Sequence, residues 1–336
     1  VHISDIEYSL PDELIAQKPV DPRDSSRLLV DRGGDTPLHT TMAHFDEFIE
    51  EGDLLVVNDT RVLLARLHLQ RSTGGAAEVL LLEPLDSERR TWDAMIRPAR
   101  KLKPGEVLEY FGKRVVRIGE RSESGDTFHV ELMGDDPMGL IDRIGAVPLP
   151  PYIQASLQDR ERYQTVYARE AKSAAAPTAG LHFTPELLDR VRAKGAEIAH
   201  VELVVGLDTF KPISVDNPLD HSIHTESYSV PADVLKKCSD AKRVIAIGTT
   251  ATRALESAAT RGELTGRTNL FITPGYEWKV VDLMLTNFHM PRTSLLLLVQ
   301  AFVGERWRRL YETAIEEKYR FLSFGDAMLL SRDLKD

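Results

Sequence analysis

Four short polar clusters in this 336-residue chain each follow an apolar run, and their residue types suit ligand binding and proton transfer. "NDTR" (Asn58 to Arg61) follows "LLVV", and "GLDTFKP" (Gly206 to Pro212) follows "HVELVV". "GTTATR" (Gly248 to Arg253) follows "VIAI", and "TNFHMPRTS" (Thr286 to Ser294) follows "VVDLML". In an α/β sheet, ligands sit beyond the carboxyl ends of the strands, so four such clusters point to one shared site. Within "IAIGTTATRALES", a strand runs through Gly248 into the paired hydroxyls Thr249 and Thr250 and then a helix, whose free N–H groups suit an anion or a ribose. No lysine follows, so it is not a phosphate-binding loop of the GxxxxGKT kind, nor is it GxGxxG. The plainer reading is a helix capped by Thr249 or Thr250, with Arg253 and Glu256 pairing along it.

The histidines are the proton-transfer candidates. His182 and His289 sit between apolar neighbours in segments that contain Pro or Gly, where a satisfied core histidine is the competing reading. "DHSIHTESY" brings His221, His224 and Glu226 together; its spacing is poor for a metal, which leaves a surface loop or an acid/base contact. "SAAAPTAGLHFTPE" (Ser173 to Glu186) is rich in small residues, Pro177, Thr178 and Gly180 among them. It reads either as a linker or as backbone bared for a ligand, with His182 and Phe183 at its end.

The elements that must position these residues fall into two textures. From about Arg61 to Met133, short runs such as "RLHLQ", "AEVLLLEPL" and "FHVELM" are punctuated by Gly, Pro, Ser and Asp, as in a small barrel or sandwich. Elsewhere strands alternate with helices: "DLLVV" reads as a strand buried on both faces, and "TPELLDRVRAKG" as a helix capped by Thr184, started by Pro185 and stopped by Gly195. "KVVDLMLTNF" reads as a further strand. "WRRLYETAI" places Trp307, Leu310, Tyr311, Ala314 and Ile315 on one helical face. The fold expected is therefore a mixed-sheet α/β domain (residues 1–60 and 150–336) interrupted by an inserted small β-barrel domain (61–149).

Composition narrows the class. Apolar residues make up 42% and charged residues 28%, as in a globular enzyme rather than a disordered chain. The most apolar run, "SLLLLVQAFVG", is too short to span a bilayer, and the opening residues lack the apolar core of a secretion signal. Cys238 is the single cysteine, which excludes an internal disulfide and fits a reducing cytoplasm. A net charge of −10 argues against a general nucleic-acid coat protein but leaves room for a local basic face, at "RPARKLKPG" or "RWRRL". Lacking a heptad or an exposed apolar stripe, the chain reads as a monomer.

Taken together, "LPDELIAQKP", "SSRLLV", "GDLLVVNDTRV", "LPPYI", "ERYQTVYA", "AAAPTAGLHFT", "VIAIGTTATRALES", "ITPGY", "VVDLMLTNFHMPRTSLLLLVQAF" and "EKYRFLSFGDAML" resemble the S-adenosylmethionine:tRNA ribosyltransferase-isomerase family of queuosine biosynthesis (the QueA family). The resemblance spans nearly the whole chain. It departs at "VVGLDTF", where the family pattern is close to His-Val-Gly-x-Gly-Thr-Phe: Val204 stands for the histidine and Asp208 for the second glycine. An Asp tolerates left-handed geometry better than most residues, so the turn can survive while its charge changes.

The resemblance implies an α/β domain with an inserted β-barrel. It also implies tRNA carrying 7-aminomethyl-7-deazaguanine at the wobble position as one substrate. S-adenosylmethionine is the other, consumed as ribosyl donor without a metal. Epoxyqueuosine-tRNA forms, and adenine and methionine leave. Such chemistry needs a base for the proton beside the sulfonium and a hydrogen-bond donor for departing adenine. His182, His224, Glu226 and His289 are the candidate catalytic groups. Asn58, Arg61, Pro177, Thr178, Gly180, Asp208, Thr209, Phe210, Gly248, Thr249, Thr250, Arg253, Tyr276 and Asn287 are the candidate substrate contacts. Tyr276 and Phe321 are candidate base-stacking rings, with "RPARK" and "EKYRF" as phosphate contacts. A small-molecule nucleoside transferase or nucleosidase, and a non-catalytic RNA-binding module, are the alternative readings.

Overall fold

The structure is a computed structural model and describes residues 2–34, 36–122, 125–206, 213, 215–220, 223 and 225–332. The chain separates into two compact units, one of residues 1–61, 151–170 and 176–336, the other of 62–150 and 171–175.

The first unit is built on a nine-stranded mixed sheet. Four parallel strands make its centre, in the order Glu197–Leu203, Asp53–Asn58, Arg243–Ile247, Leu283–Asn287. Asp53–Asn58 is buried at every residue, which is why it reads as an unbroken apolar run. Antiparallel Ala327–Ser331 follows beside Leu283–Asn287, then Arg27–Val30 parallel to it, then Leu38–Thr41. On the other flank, Glu226–Ser229 and Thr265–Thr268 pair antiparallel. This reversal puts the amino ends of Ala327–Ser331 and Arg27–Val30 at the same edge as the carboxyl ends of the central strands.

Helices cover the sheet where capping chemistry starts them. Thr184 accepts from Leu187 N at 3.1 Å ahead of Pro185–Ala193, and Gly195 follows with φ +86°. Thr293 accepts from Leu296 N at 3.3 Å ahead of Ser294–Val303. Arg306–Glu316 buries Trp307, Leu310, Tyr311 and Ala314, leaving Ile315 partly exposed. The strand read over "KVVDLMLTNF" is shorter than its apolar pattern and begins at Leu283. The backbone ahead of it is held instead by Glu256, which accepts from Lys279, Val280 and Val281 N–H. Glu256 is therefore spent on that turn and does not pair with Arg253.

The second unit is the inserted barrel. Strands Arg66–Arg71, Ala76–Pro84, Thr91–Arg97, Phe128–Leu132, Lys113–Arg121 and Val107–Tyr110 are neighbours in that order. Arg66–Arg71 also pairs with Val107–Tyr110 and closes the ring. Closure removes both sheet edges, and alternation along Thr91–Arg97 turns Trp92, Ala94 and Ile96 inward. The fold class expected from the sequence is the one observed.

Small residues in "SAAAPTAGLHFTPE" serve packing first. Ala175 and Ala179 are buried, and a Cβ on Gly180 would lie 2.0 Å from the Tyr167 hydroxyl and 2.7 Å from Thr165 Cγ2. Gly180→Ala should therefore cost about 1–3 kcal/mol in chemical denaturation, the usual range for overpacking. An unchanged midpoint would show that this segment is bare for another reason.

Candidate functional site

A cleft of about 640 Å³ opens at the sheet edge where the central strands end. Its walls come from three carboxyl-end segments and one turn: Ala176–Ala179, Gly248–Thr250, Thr286–Met290 and Leu322–Ser323. Most of the lining is apolar, as in small-molecule sites generally.

The polar groups are joined in a relay with one direction. Thr178 Oγ1 donates to Asn287 Oδ1 at 3.0 Å. Asn287 Nδ2 then faces His182 Nε2 at 3.1 Å, and an amide nitrogen can only donate. Nε2 is thus the acceptor, and the ring proton sits on Nδ1, 2.7 Å from Ser26 Oγ. Ser26 Oγ donates onward to the Arg23 carbonyl at 3.2 Å. Asn287 is 2% and His182 4% exposed, so each bond is made out of water. Burial, with the cations of Arg320 and Arg23 nearby, pushes His182 down to about 4, so it is neutral at physiological pH.

His289 faces the cleft directly. Its Nε2 lies 2.8 Å from Thr286 Oγ1, and its backbone is clamped by the Tyr311 hydroxyl, which accepts from its N–H, and by the Tyr8 hydroxyl, which donates to its carbonyl. Burial pushes this imidazole down to about 3. Two neutral imidazoles therefore stand at one sheet edge.

The helix Thr249–Arg261 aims its amino end at the same cleft. Gly248, at φ +93°, is its N-cap and offers no side chain, and among the described residues no side-chain cap is seen. Thr249 and Thr250 are its first residues, which overturns the reading of either as cap. Among the described residues, Thr250 Oγ1 is buried with no hydrogen-bond partner. An uncapped helix start with a buried, unmatched hydroxyl beside it has its binding capacity unspent.

The cleft thus gathers Pro177, Thr178, Gly248, Thr249, Thr250, Asn287 and His289, with His182 one bond behind. Gly180 does not line the cleft; it packs where a Cβ would meet the Tyr167 hydroxyl. Other sequence candidates are spent elsewhere. Asn58 ties two strands together through Leu203, donating to its carbonyl at 3.0 Å and accepting from its N–H at 3.3 Å. Arg61 pairs with Glu161. Arg253 pairs with Glu226 and donates to the Leu270 carbonyl at 3.0 Å, while Glu226 also accepts from Gly206 N at 3.2 Å. Glu226 therefore holds the chain entering the 207–212 segment. The Tyr276 hydroxyl donates to Glu256 at 3.0 Å, and Phe321 is fully buried against Phe288. His224, Asp208, Thr209 and Phe210 lie outside the described residues.

Of the two basic stretches, "RWRRL" is engaged internally: Arg306 with Asp31 at 3.0 Å, Arg308 with the Asp5 carbonyl at 2.6 Å, Arg309 with the Gly34 carbonyl at 3.0 Å. In "RPARKLKPG", Arg97, Arg100, Lys101 and Lys103 are exposed on the barrel unit. Among the described residues no group of three or more His, Cys, Asp or Glu side chains is arranged to hold a metal, and no helix is long and apolar enough to cross a membrane.

Ser26, Tyr152 and Ser323 complete the site and were not singled out from the sequence. The Tyr152 hydroxyl and Ser323 Oγ are 2.7 Å apart at the cleft wall. Ser323 follows Leu322, whose φ of +70° is unusual for a bulky residue and turns the chain at the wall. Ser26 precedes a strand, so a search of carboxyl strand ends passes it by.

The depressed histidines fix a pH dependence of stability. Unfolded histidine protonates near 6.5, the folded imidazoles only near 4 and 3, so the unfolded state binds more protons between those values. Stability is full above pH 6.5 and falls as pH drops through that window, by roughly 2–3 kcal/mol per imidazole at pH 4.5. His182→Gln should flatten the fall by up to about 1.4 kcal/mol per pH unit in urea titrations. Identical slopes in the two proteins would contradict a desolvated neutral His182.

A family model described as queuosine biosynthesis protein matches residues 3–330. An S-adenosylmethionine:tRNA ribosyltransferase-isomerase of Symbiobacterium thermophilum is 46% identical, covering 98% of this chain and 100% of the relative. One from Rubrobacter xylanophilus is 47% identical, covering 97% and 96%. The crystal structure of an S-adenosylmethionine tRNA ribosyltransferase from Thermotoga maritima is 34% identical, with a TM-score of 0.55, and covers 97% of this chain and 99% of that one.

Proposed function

The chain belongs to the S-adenosylmethionine:tRNA ribosyltransferase-isomerase family of queuosine biosynthesis, and from that premise we propose how its cleft carries out the reaction. The enzyme transfers the ribosyl part of S-adenosylmethionine to tRNA and isomerises it. The acceptor is the aminomethyl nitrogen of 7-aminomethyl-7-deazaguanine at the wobble position, and the product is epoxyqueuosine-tRNA, with adenine and methionine released.

The observation that carries this reading is the convergence of a helix start and the neutral His289 imidazole on one largely apolar cleft, with neutral His182 bonded to the cleft residue Asn287 from behind. The N–H groups at Thr249 and Thr250, with the unmatched Thr250 hydroxyl, take the methionine carboxylate, where the helix dipole favours negative charge. Apolar walls at Pro177, Val205, Phe288 and Leu322 cover adenine and ribose and exclude water.

His289 then takes the C5′ proton beside the sulfonium, because its ring lines the cleft and Thr286 fixes its other nitrogen. An imidazolium of such low proton affinity is a strong acid, so it gives that proton to adenine as the glycosidic bond breaks; proton and electron pair leave together with the base. The neutral amine of the modified base attacks the ribosyl fragment and releases one of its protons to solvent, and epoxide closure expels methionine, which keeps the electron pair of the breaking C5′–sulfur bond. Thr178 Oγ1, whose proton is committed to Asn287, accepts from a ribosyl hydroxyl, and Asn287, aligned by His182, holds it in place. These roles are supported by side-chain type, burial and hydrogen bonding.

Adenine release from S-adenosylmethionine should require the precursor tRNA. Asn287→Ala should lower it about 100-fold or more, the scale of losing a fixed donor in a dry site. Release without tRNA would favour a small-molecule nucleosidase instead. A rate in Asn287→Ala within a few-fold of wild type would remove the relay from the chemistry.

A further inference from the structure

A second, smaller cavity of about 260 Å³ lies against His182, and its lining includes Pro19, Val20, Arg23, Arg162, His182 and Ser323. Ser323 belongs to both walls, whereas His182 faces only this one and Asn287 only the cleft. The buried Asn287–His182 pair is the partition between the two spaces.

Two guanidinium groups, Arg23 and Arg162, line this cavity, a third, Arg320, lies near His182 behind it, and each is held by main-chain carbonyls. Arg23 donates to the carbonyls of Glu161 at 2.7 Å, Gln164 at 2.9 Å and Leu181 at 3.2 Å. Arg162 donates to the Val20 carbonyl, and Arg320, close enough to His182 to depress its basicity, donates to the Lys18 carbonyl. Carbonyls fix a guanidinium without neutralising it. Among the described residues neither Arg23 nor Arg320 has a carboxylate within 4 Å, and Arg320 Nη1 is buried with no hydrogen-bond partner. The acids around the rim are Asp21, Asp159 and Glu161, and Asp326 acts electrostatically on Arg320. Asp21 is 3.9 Å from Arg162 with its side chain 92% exposed, and Glu161 is committed to Arg61. Held cations with unspent donors around a cavity are what an oxyanion needs.

We propose that this cavity is an oxyanion subsite that takes a phosphodiester group of the RNA substrate, a proposal that rests on the RNA-modifying activity above. A phosphodiester fits better than the donor's carboxylate, because a carboxylate tethered in the cleft would have to cross the closed Asn287–His182 partition, while Pro19, Val20 and Arg162 are partly exposed. The subsite also links RNA docking to the relay. A phosphate there offsets the two cations that help keep His182 neutral, so arrival of the RNA strengthens the imidazole that aligns Asn287.

The test is steady-state adenine release by the full-length protein, with folding checked by circular dichroism. Arg162→Gln should raise KM for precursor tRNA about tenfold, leave KM for S-adenosylmethionine unchanged, and make the salt dependence of tRNA KM shallower by about 0.7–1 in log–log slope. Arg162→Lys should restore part of the loss. Arg320→Gln serves as a second variant should the first not fold. A folded variant with unchanged tRNA KM and salt slope overturns the subsite. A raised KM for S-adenosylmethionine that its decarboxylated analogue escapes assigns the cavity to the carboxylate and overturns the RNA reading. Absence of tRNA-dependent adenine release in the wild-type protein would strike the activity itself, a separate failure.

Discussion

The orientation of one buried amide governs the chemistry of this site. Thr178 donates to Asn287 Oδ1, which leaves Asn287 Nδ2 to face His182. That choice makes His182 Nε2 an acceptor, puts its proton on Nδ1 and points it at Ser26, which passes its own proton to the Arg23 carbonyl. No member can reverse alone without setting donor against donor or acceptor against acceptor, a costly conflict where water cannot intervene. Much of the surrounding architecture holds these four side chains in register. Asn287 ends a central strand, Ser26 precedes an oppositely placed one, and Thr178 and His182 sit on the short helical turn Thr178–His182.

Desolvation is the second consequence of this placement. The same burial that dries the relay keeps both imidazoles neutral. The uncapped helix start lies at the edge of the same space. A capping side chain there would stabilise the helix and occupy the N–H groups that a ligand needs; Gly248 in a conformation with positive φ supplies the turn without one. The central strand Asp53–Asn58, buried at every residue, anchors the sheet behind this helix start.

The fold was legible because its signals are local and consistent. The apolar runs at Asp53–Asn58 and Arg243–Ile247, the Thr184–Pro185 helix start and the closely spaced barrel strands each carry their own pattern. The site was legible only in part. Strand-end reasoning reached Thr249, Thr250, Asn287 and His289, which follow the strands they belong to. It also selected Asn58, Arg61 and Arg253, whose polar groups close turns and ion pairs at the same edge. Residue type does not separate a strand-end lock from a ligand contact; the hydrogen-bond partner does. Ser26 and Ser323 escaped because they precede antiparallel or reversed strands, and pairing order is a long-range property that spacing does not encode. The Ala-rich segment around Gly180 looked like backbone bared for a ligand, yet Tyr167 and Thr165 fill the space that its missing Cβ leaves.

Long-range nitrogen–proton NMR on histidine-labelled protein tests the central claim most directly. The account predicts that His182 carries its proton on Nδ1 and stays neutral from pH 8 down to 5, with titration only near 4. A proton on Nε2, or a midpoint near the ordinary 6.5, would contradict the relay and the orientation of Asn287 on which it depends.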